Sequence, residues 1–116
     1  YTLLPGIAES KIAENLEKRG YKISMYPGID EADILVEKDG NKLVLDVKDY
    51  YSPFYFAKHI SQQDTKGELE GVFFVIPQAR LDIFPSYINQ AKNYYAKPIN
   101  LLSENELYRR VGDLLG

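Results

Sequence analysis

Apolar residues recur along this chain with two periods, and the switches between them lay out its elements. Ile7, Ala8, Ile12, Ala13 and Leu16 fall at helical spacing, and Gly20 stands where a left-handed C-terminal residue belongs, so residues 6–19 are expected to form a helix. Residues 21–26 alternate Tyr, Ile and Met with Lys and Ser, which is strand periodicity, and Pro27-Gly28 ends the run. Two further strand-like runs, 32–38 and 41–49, flank Asp39-Gly40, a dipeptide favoured in two-residue hairpin turns. Ser52-Pro53 supplies a cap and a first-turn proline for a second helix reaching about Gln63, and Asp64-Thr65-Lys66-Gly67 breaks it. Between Gly71 and Pro77 lies Val-Phe-Phe-Val-Ile, a continuous apolar run expected of a strand covered on both faces. Residues 82–95 read as a helix with Ile83, Tyr87, Ile88, Ala91 and Tyr95 on one side, followed by a short strand at 98–101. Ser103-Glu104-Asn105-Glu106 is a capping-box pattern opening a last helix to about Leu115.

The order α-β-β-β-α-β-α-β-α implies one layered α/β domain over residues 1–116, in which an antiparallel hairpin feeds a helical crossover to a buried strand. The result is a mixed central sheet with helices on both faces. Because the chain opens on Tyr1 rather than Met, it fits a domain excised from a longer protein. With no cysteine, thiol nucleophiles and zinc-thiolate sites are excluded, and any metal is expected to use oxygen ligands. No apolar run approaches the roughly 20 residues that span a bilayer, and the start lacks the pattern of a secretory signal, so a cytoplasmic protein with no membrane partner is expected. A net charge of −3 argues against a domain that lives by non-specific attraction to phosphates. An acidic catalytic domain that gains positive charge from bound metal remains compatible with it.

The chemistry is concentrated in the first half. Strand alternation puts Asp46 and Lys48 on one face and Leu43, Leu45 and Val47 on the other. Closing the hairpin at Asp39-Gly40 brings Asp33 almost opposite Asp46, so two carboxylates approach each other with an amine alongside. Such a pair repels itself unless a hard cation such as Mg²⁺ sits between the two. Metal, paired acids and a lysine are the parts that phosphodiester hydrolysis needs. With Ile12 at zero and about 100° per residue, Glu9 falls near 60°, on the flank of the inner stripe of the first helix. It is either a rim charge or a further contact to metal or water.

These residues resemble a known superfamily. Asp33-Ile-Leu-Val, then Leu43-Val44-Leu45-Asp46-Val47-Lys48, preceded by a helix bearing a Glu, is similar to the PD-(D/E)XK signature of restriction endonuclease-like nucleases, with Ala32 in place of the nominal proline. The resemblance spans about residues 7–77 and implies an αβββαβ core. It further implies catalysis by Asp33, Asp46, Lys48 and Glu9, with Mg²⁺ or Mn²⁺ bound by Asp33, Asp46, the Val47 carbonyl and Glu9. The string Leu45 to Pro53, with Val75-Ile76-Pro77 and Leu102-Ser103-Glu104, also resembles the nuclease-like domain encoded beside PIWI-type proteins in bacterial defence islands. That likeness implies a genome-defence setting and partner proteins that supply target recognition. The expectation is then a metal-dependent endonuclease acting on DNA, with RNA the alternative, and with a homodimer or partner domains supplying specificity.

Tyr50, Tyr51 and Tyr55 cluster just after the motif, where they either stack on unpaired bases or pack the second helix onto the sheet. Lys58 and Gln62 on the same helix, and Lys66 and Arg80 beyond it, are candidate nucleic-acid contacts. His59, the sole histidine, reads as a core or rim residue, and Asp49 as a hairpin-end or cap residue. The alternative to an enzyme is a module that keeps the nuclease fold and serves in assembly or nucleic-acid binding without cutting.

Overall fold

The computed structural model describes residues 7–27, 32–65, 72–95 and 97–115, apart from the side chains of residues 7–8, 25–27, 32–33 and 63–65. Helix α1 (Ile7–Lys18) ends on Gly20 at φ 94°, and Tyr21 N donates to Leu16 O while Gly20 N donates to Glu17 O. These two bonds are the Schellman closure that a C-terminal glycine permits. Strands β1 (Lys22–Pro27), β2 (Ala32–Lys38) and β3 (Asn41–Val47) then run as an antiparallel meander. Asp39 and Gly40 both take positive φ, at 53° and 84°, as a primed two-residue turn requires. That turn fixes Lys38 opposite Asn41 and, counting back, Asp33 opposite Asp46.

Helix α2 (Pro53–Thr65) starts as the sequence implies, with Ser52 Oγ accepting from Phe54 N at 3.2 Å. It crosses to β4 (Val72–Ile76), which lies parallel to β3, and β5 (Asn100–Ser103) lies parallel to β4. The sheet order is therefore β1-β2-β3-β4-β5. Helix α5 (Glu104–Leu114) is capped by Ser103 Oγ, which accepts from Glu106 N.

The sequence reading fails at residues 78–95. Instead of one helix over 82–95 there are two, α3 (Gln78–Ile83) and α4 (Tyr87–Tyr94). Pro85 has no N–H to continue a helix and disfavours helical geometry at the residue before it, and Phe84 is accordingly extended at φ −134°, ψ 77°. Ile83, expected on the inner side, is consequently left exposed. The strand expected at 98–101 begins two residues later, and β3 ends at Val47 rather than residue 49.

Each face of the sheet is covered by its own helices. Ile12 and Leu16 of α1 pack with Leu107 and Val111 of α5 against Ile34, Val36, Leu43, Leu45 and Val47. On the opposite face, Phe56 and Ile60 of α2 and Tyr87 and Ala91 of α4 pack against Phe74 and Ile76. Asp46 pairs in register with Phe74 and so belongs to this second face. Leu35 and Val44, also on that face, are only half-buried, so the hairpin side of the face is less covered than the side over β4.

Beyond the C-terminal ends of β4 and β5, a buried carboxylate ties three helices together. Glu104 accepts from Gln78 N at 3.0 Å and Tyr108 Oη at 2.6 Å, and Lys11 Nζ approaches at 3.5 Å. Burial, together with Glu104 alongside, outweighs the hydrogen bond from Asn15 and pushes the Tyr108 hydroxyl up to about 12. Burial likewise pushes Tyr87 well above the ordinary tyrosine range. In the unfolded chain a tyrosine loses its proton near pH 10. The unfolded state thus sheds these protons first, so their stabilisation is complete below about pH 10, and that of Tyr108 is lost as pH rises through about 12. Urea midpoints are expected to fall between pH 9 and 11, and to fall less for Tyr108→Phe. An equal fall in that variant would remove Tyr108 from this account.

Candidate active site

Asp46 is the penultimate residue of β3, and the chain keeps its strand course one step past the end because Lys48 N donates to Val75 O at 3.0 Å. That bond holds Lys48 on the same face as Asp46. The two side chains meet there, with Lys48 Nζ 3.2 Å from Asp46 Oδ2. Both are deeply buried, Asp46 at 4% and Lys48 at 2% exposure. The sequence expectation of a carboxylate and an amine side by side is met.

Residue His59, read from sequence as a core or rim residue, lies against the pair. Its Nε2 is 3.1 Å from Lys48 Nζ, and its ring centroid is 5.4 Å from that of Tyr50. An ammonium can only donate, so with Lys48 charged the bond requires Nε2 to accept, which is the tautomer with its proton on Nδ1. The ammonium also stands 5.9 Å above the Phe74 ring, which favours the cation. The signal for His59 was present in the sequence: Phe56 and Ile60 define the inner side of α2, and His59 adjoins Ile60 on its edge.

Asp33 is the register partner of Asp46 across the hairpin, although its side chain lies outside the described residues. Val47 is the last residue of β3. Glu9 is half-buried in the first turn of α1, a helix that packs on the face carrying Leu45 and Val47, opposite that of Asp46 and Lys48. Among the described residues no three His, Asp or Glu side chains gather as metal ligands. Mg²⁺ needs only one or two carboxylates, completing its shell with water and substrate phosphate, so two acids in register suit it.

Around the pair, Tyr50, Tyr51, Tyr55, Lys58, His59 and Gln62 line an open groove of about 380 Å³. Of the nucleic-acid candidates named from sequence, Tyr50, Tyr51, Tyr55, Lys58 and Gln62 are among them. Tyr50 is anchored from α4, whose Tyr87 hydroxyl donates to Tyr50 O at 2.7 Å. Arg80, a candidate phosphate contact, instead donates through Nε to Asp49 Oδ1 at 3.0 Å. Asp49 thus joins α3 to the end of the motif. Lys66 and the side chain of Gln63 lie outside the described residues. No helix among the described residues is long and apolar enough to cross a membrane.

Neither the curated proteins nor the solved structures gave a match to this chain. A family model does match, over residues 6–116, and its description is "REase associating with pPIWI_RE". The match takes in every element from α1 to α5, the αβββαβ core among them, with its five-stranded mixed sheet and the Asp46–Lys48 pair. The chain belongs to this family of restriction endonuclease-like domains that associate with pPIWI_RE proteins.

Proposed function

We propose that this domain is a metal-dependent nuclease that hydrolyses phosphodiester bonds, with DNA the favoured polynucleotide, and that it works beside a PIWI-type protein in genome defence. The observation that carries this reading is the buried Asp46–Lys48 pair at the end of β3, with Asp33 in register across the hairpin. In this reading Asp33 and Asp46 hold Mg²⁺ or Mn²⁺, and the Val47 carbonyl adds a further oxygen. When bound, the cation polarises a phosphoryl oxygen and lowers the pKa of neighbouring water.

The chain's own residues do the rest. Lys48 orients the attacking water and offsets the negative charge that grows on the phosphoryl oxygens. Asp46 Oδ2 and His59 Nε2 accept from the ammonium on two sides and so fix its direction. Because His59 is neutral while it accepts, it positions Lys48 without adding a second positive charge. Glu9, at the start of α1, is a further candidate contact to metal or water in this reading.

The direct test is incubation of the domain with plasmid and single-stranded substrates in Mg²⁺ or Mn²⁺, beside its Asp46→Ala and Lys48→Ala variants. Cleavage by the parent and its loss in both variants is expected. Cleavage that survives in both variants would remove the assignment. Cutting both strands of a duplex needs two sites, so a homodimer or a PIWI-type partner that brings the domain to its target belongs to the same proposal. A second reading, a nuclease-fold module that binds or assembles without cutting, is favoured by the net charge of −3.

A further inference from the structure

Several aromatic side chains near the motif face water. Tyr51 is 67% exposed and Tyr55 48%, and Phe54 and Tyr94 are exposed as well. Their rings form a continuous row: Tyr51 to Tyr55 at 5.7 Å, Tyr55 to Phe54 at 5.8 Å, and Phe54 to Tyr94 at 5.5 Å between centroids. These rings stand outside both core clusters, so packing of the fold does not account for them. A contiguous exposed apolar patch of this kind marks a binding surface.

The row borders the groove that Tyr50, Lys58, His59 and Gln62 complete. Its volume falls within the roughly 300–1,000 Å³ of small-ligand sites. His59 belongs both to this groove and to the Lys48 contact, so one side chain separates the groove from the buried pair. Three kinds of group meet in it: aromatic faces, the Gln62 amide, which can hydrogen-bond in plane, and the exposed Lys58 ammonium. Faces that stack, edges that hydrogen-bond and a cation for phosphate are what an unpaired nucleotide requires. Within a closed duplex both faces of each base are covered by its neighbours, and these tyrosines would have nothing to stack on. The net charge of −3 points the same way, since it gives a duplex backbone little general attraction.

We infer that this groove is a stacking site for unpaired nucleobases, and that the polynucleotide entering it is single-stranded or locally opened. Bases held on Tyr51 and Tyr55 bring the adjoining phosphate to the side of the groove where Lys58 and His59 stand, and His59 in turn contacts Lys48. Delivery of that phosphate rests on the nuclease reading, whereas base binding is measured apart from it.

The test is binding in EDTA, where no cleavage can occur, read by anisotropy of a labelled mixed-sequence oligodeoxynucleotide, single-stranded or as its duplex. The chain has ten tyrosines and no tryptophan, so quenching of tyrosine emission gives a second signal of stacking. The single strand is expected to bind about tenfold or more tighter than the duplex. Tyr51→Ala with Tyr55→Ala should weaken single-strand binding about five- to 150-fold per stacked base lost, while Tyr→Phe at both positions preserves it. Far-UV circular dichroism should be unchanged, because both side chains are exposed. With one or two phosphate contacts, affinity should fall only about three- to sevenfold between 50 and 200 mM salt. Equal affinity for duplex and single strand would overturn the inference. So would unchanged binding in the alanine variant, the result expected if these rings instead meet a protein. A domain that binds single strands but never cuts in Mg²⁺ contradicts the nuclease reading alone. One that cuts duplex equally well without the tyrosines contradicts the stacking site alone.

Discussion

Asp46→Asn is expected to lower phosphodiester cleavage by about 10³-fold or more, and Lys48→Met by about 10²- to 10³-fold. The asparagine keeps the size and planarity of the carboxylate while removing its charge, so its effect isolates the electrostatic role. Asp46 Oδ2 lies 3.2 Å from Lys48 Nζ, and in the proposed reading it is an anionic ligand for Mg²⁺ that an amide cannot replace. Lys48→Met keeps the length and apolar stem of the side chain and removes the ammonium alone. Single-turnover rates at saturating substrate are the right measure, because they exclude changes in product release. Rates within about tenfold of the parent for either variant would mean that the pair is not at the centre of the chemistry.

The second large effect is on stability, and it separates the pair's structural cost from its chemical use. Removing one partner of a buried ion pair leaves the other charge in a poorly solvating interior, which costs about 3–5 kcal/mol. Asp46→Ala is therefore expected to lower the urea-unfolding free energy by about that much, since Lys48 is only 2% exposed. The double variant Asp46→Leu, Lys48→Met, which fills the same space with apolar atoms, should recover most of the loss or exceed the parent. It should nevertheless be inactive. A pair whose replacement is neutral or stabilising, yet abolishes cleavage, is kept for function. If the double variant were as unstable as the single one, the pair would instead be a necessary strut of the fold.

Turn chemistry made the centre of this fold legible. Asp39-Gly40 can adopt the two positive φ values of a primed turn, and the turn alone sets the register of β2 and β3. Counting back from it placed Asp33 opposite Asp46 without any tertiary information. The ends of α1, α2 and α5 were equally readable, because Gly20, Ser52 and Ser103 satisfy backbone groups locally.

Long-range packing was not legible. Periodicity put Glu9 on the inner flank of α1, but it cannot say which face of the sheet the helix covers, and α1 covers the face away from Asp46. The His59 contact depends on the rotation of α2 about its axis over β3 and β4. That rotation is decided by Phe56 and Ile60 seating on the second face. Periodicity also ran through Pro85, although that proline splits the predicted helix by its own local chemistry. Glu104, read only as part of a cap, gathers partners from α1, α3 and α5 that lie far apart in sequence.

The most direct test of the account is a calorimetric titration of the domain with Mn²⁺, with no nucleic acid present. Saturable binding is predicted for the parent, and its loss in Asp33→Ala and in Asp46→Ala, each checked for retained secondary structure. Absence of any heat at millimolar Mn²⁺, or undiminished binding in both variants, would contradict a cation held between β2 and β3.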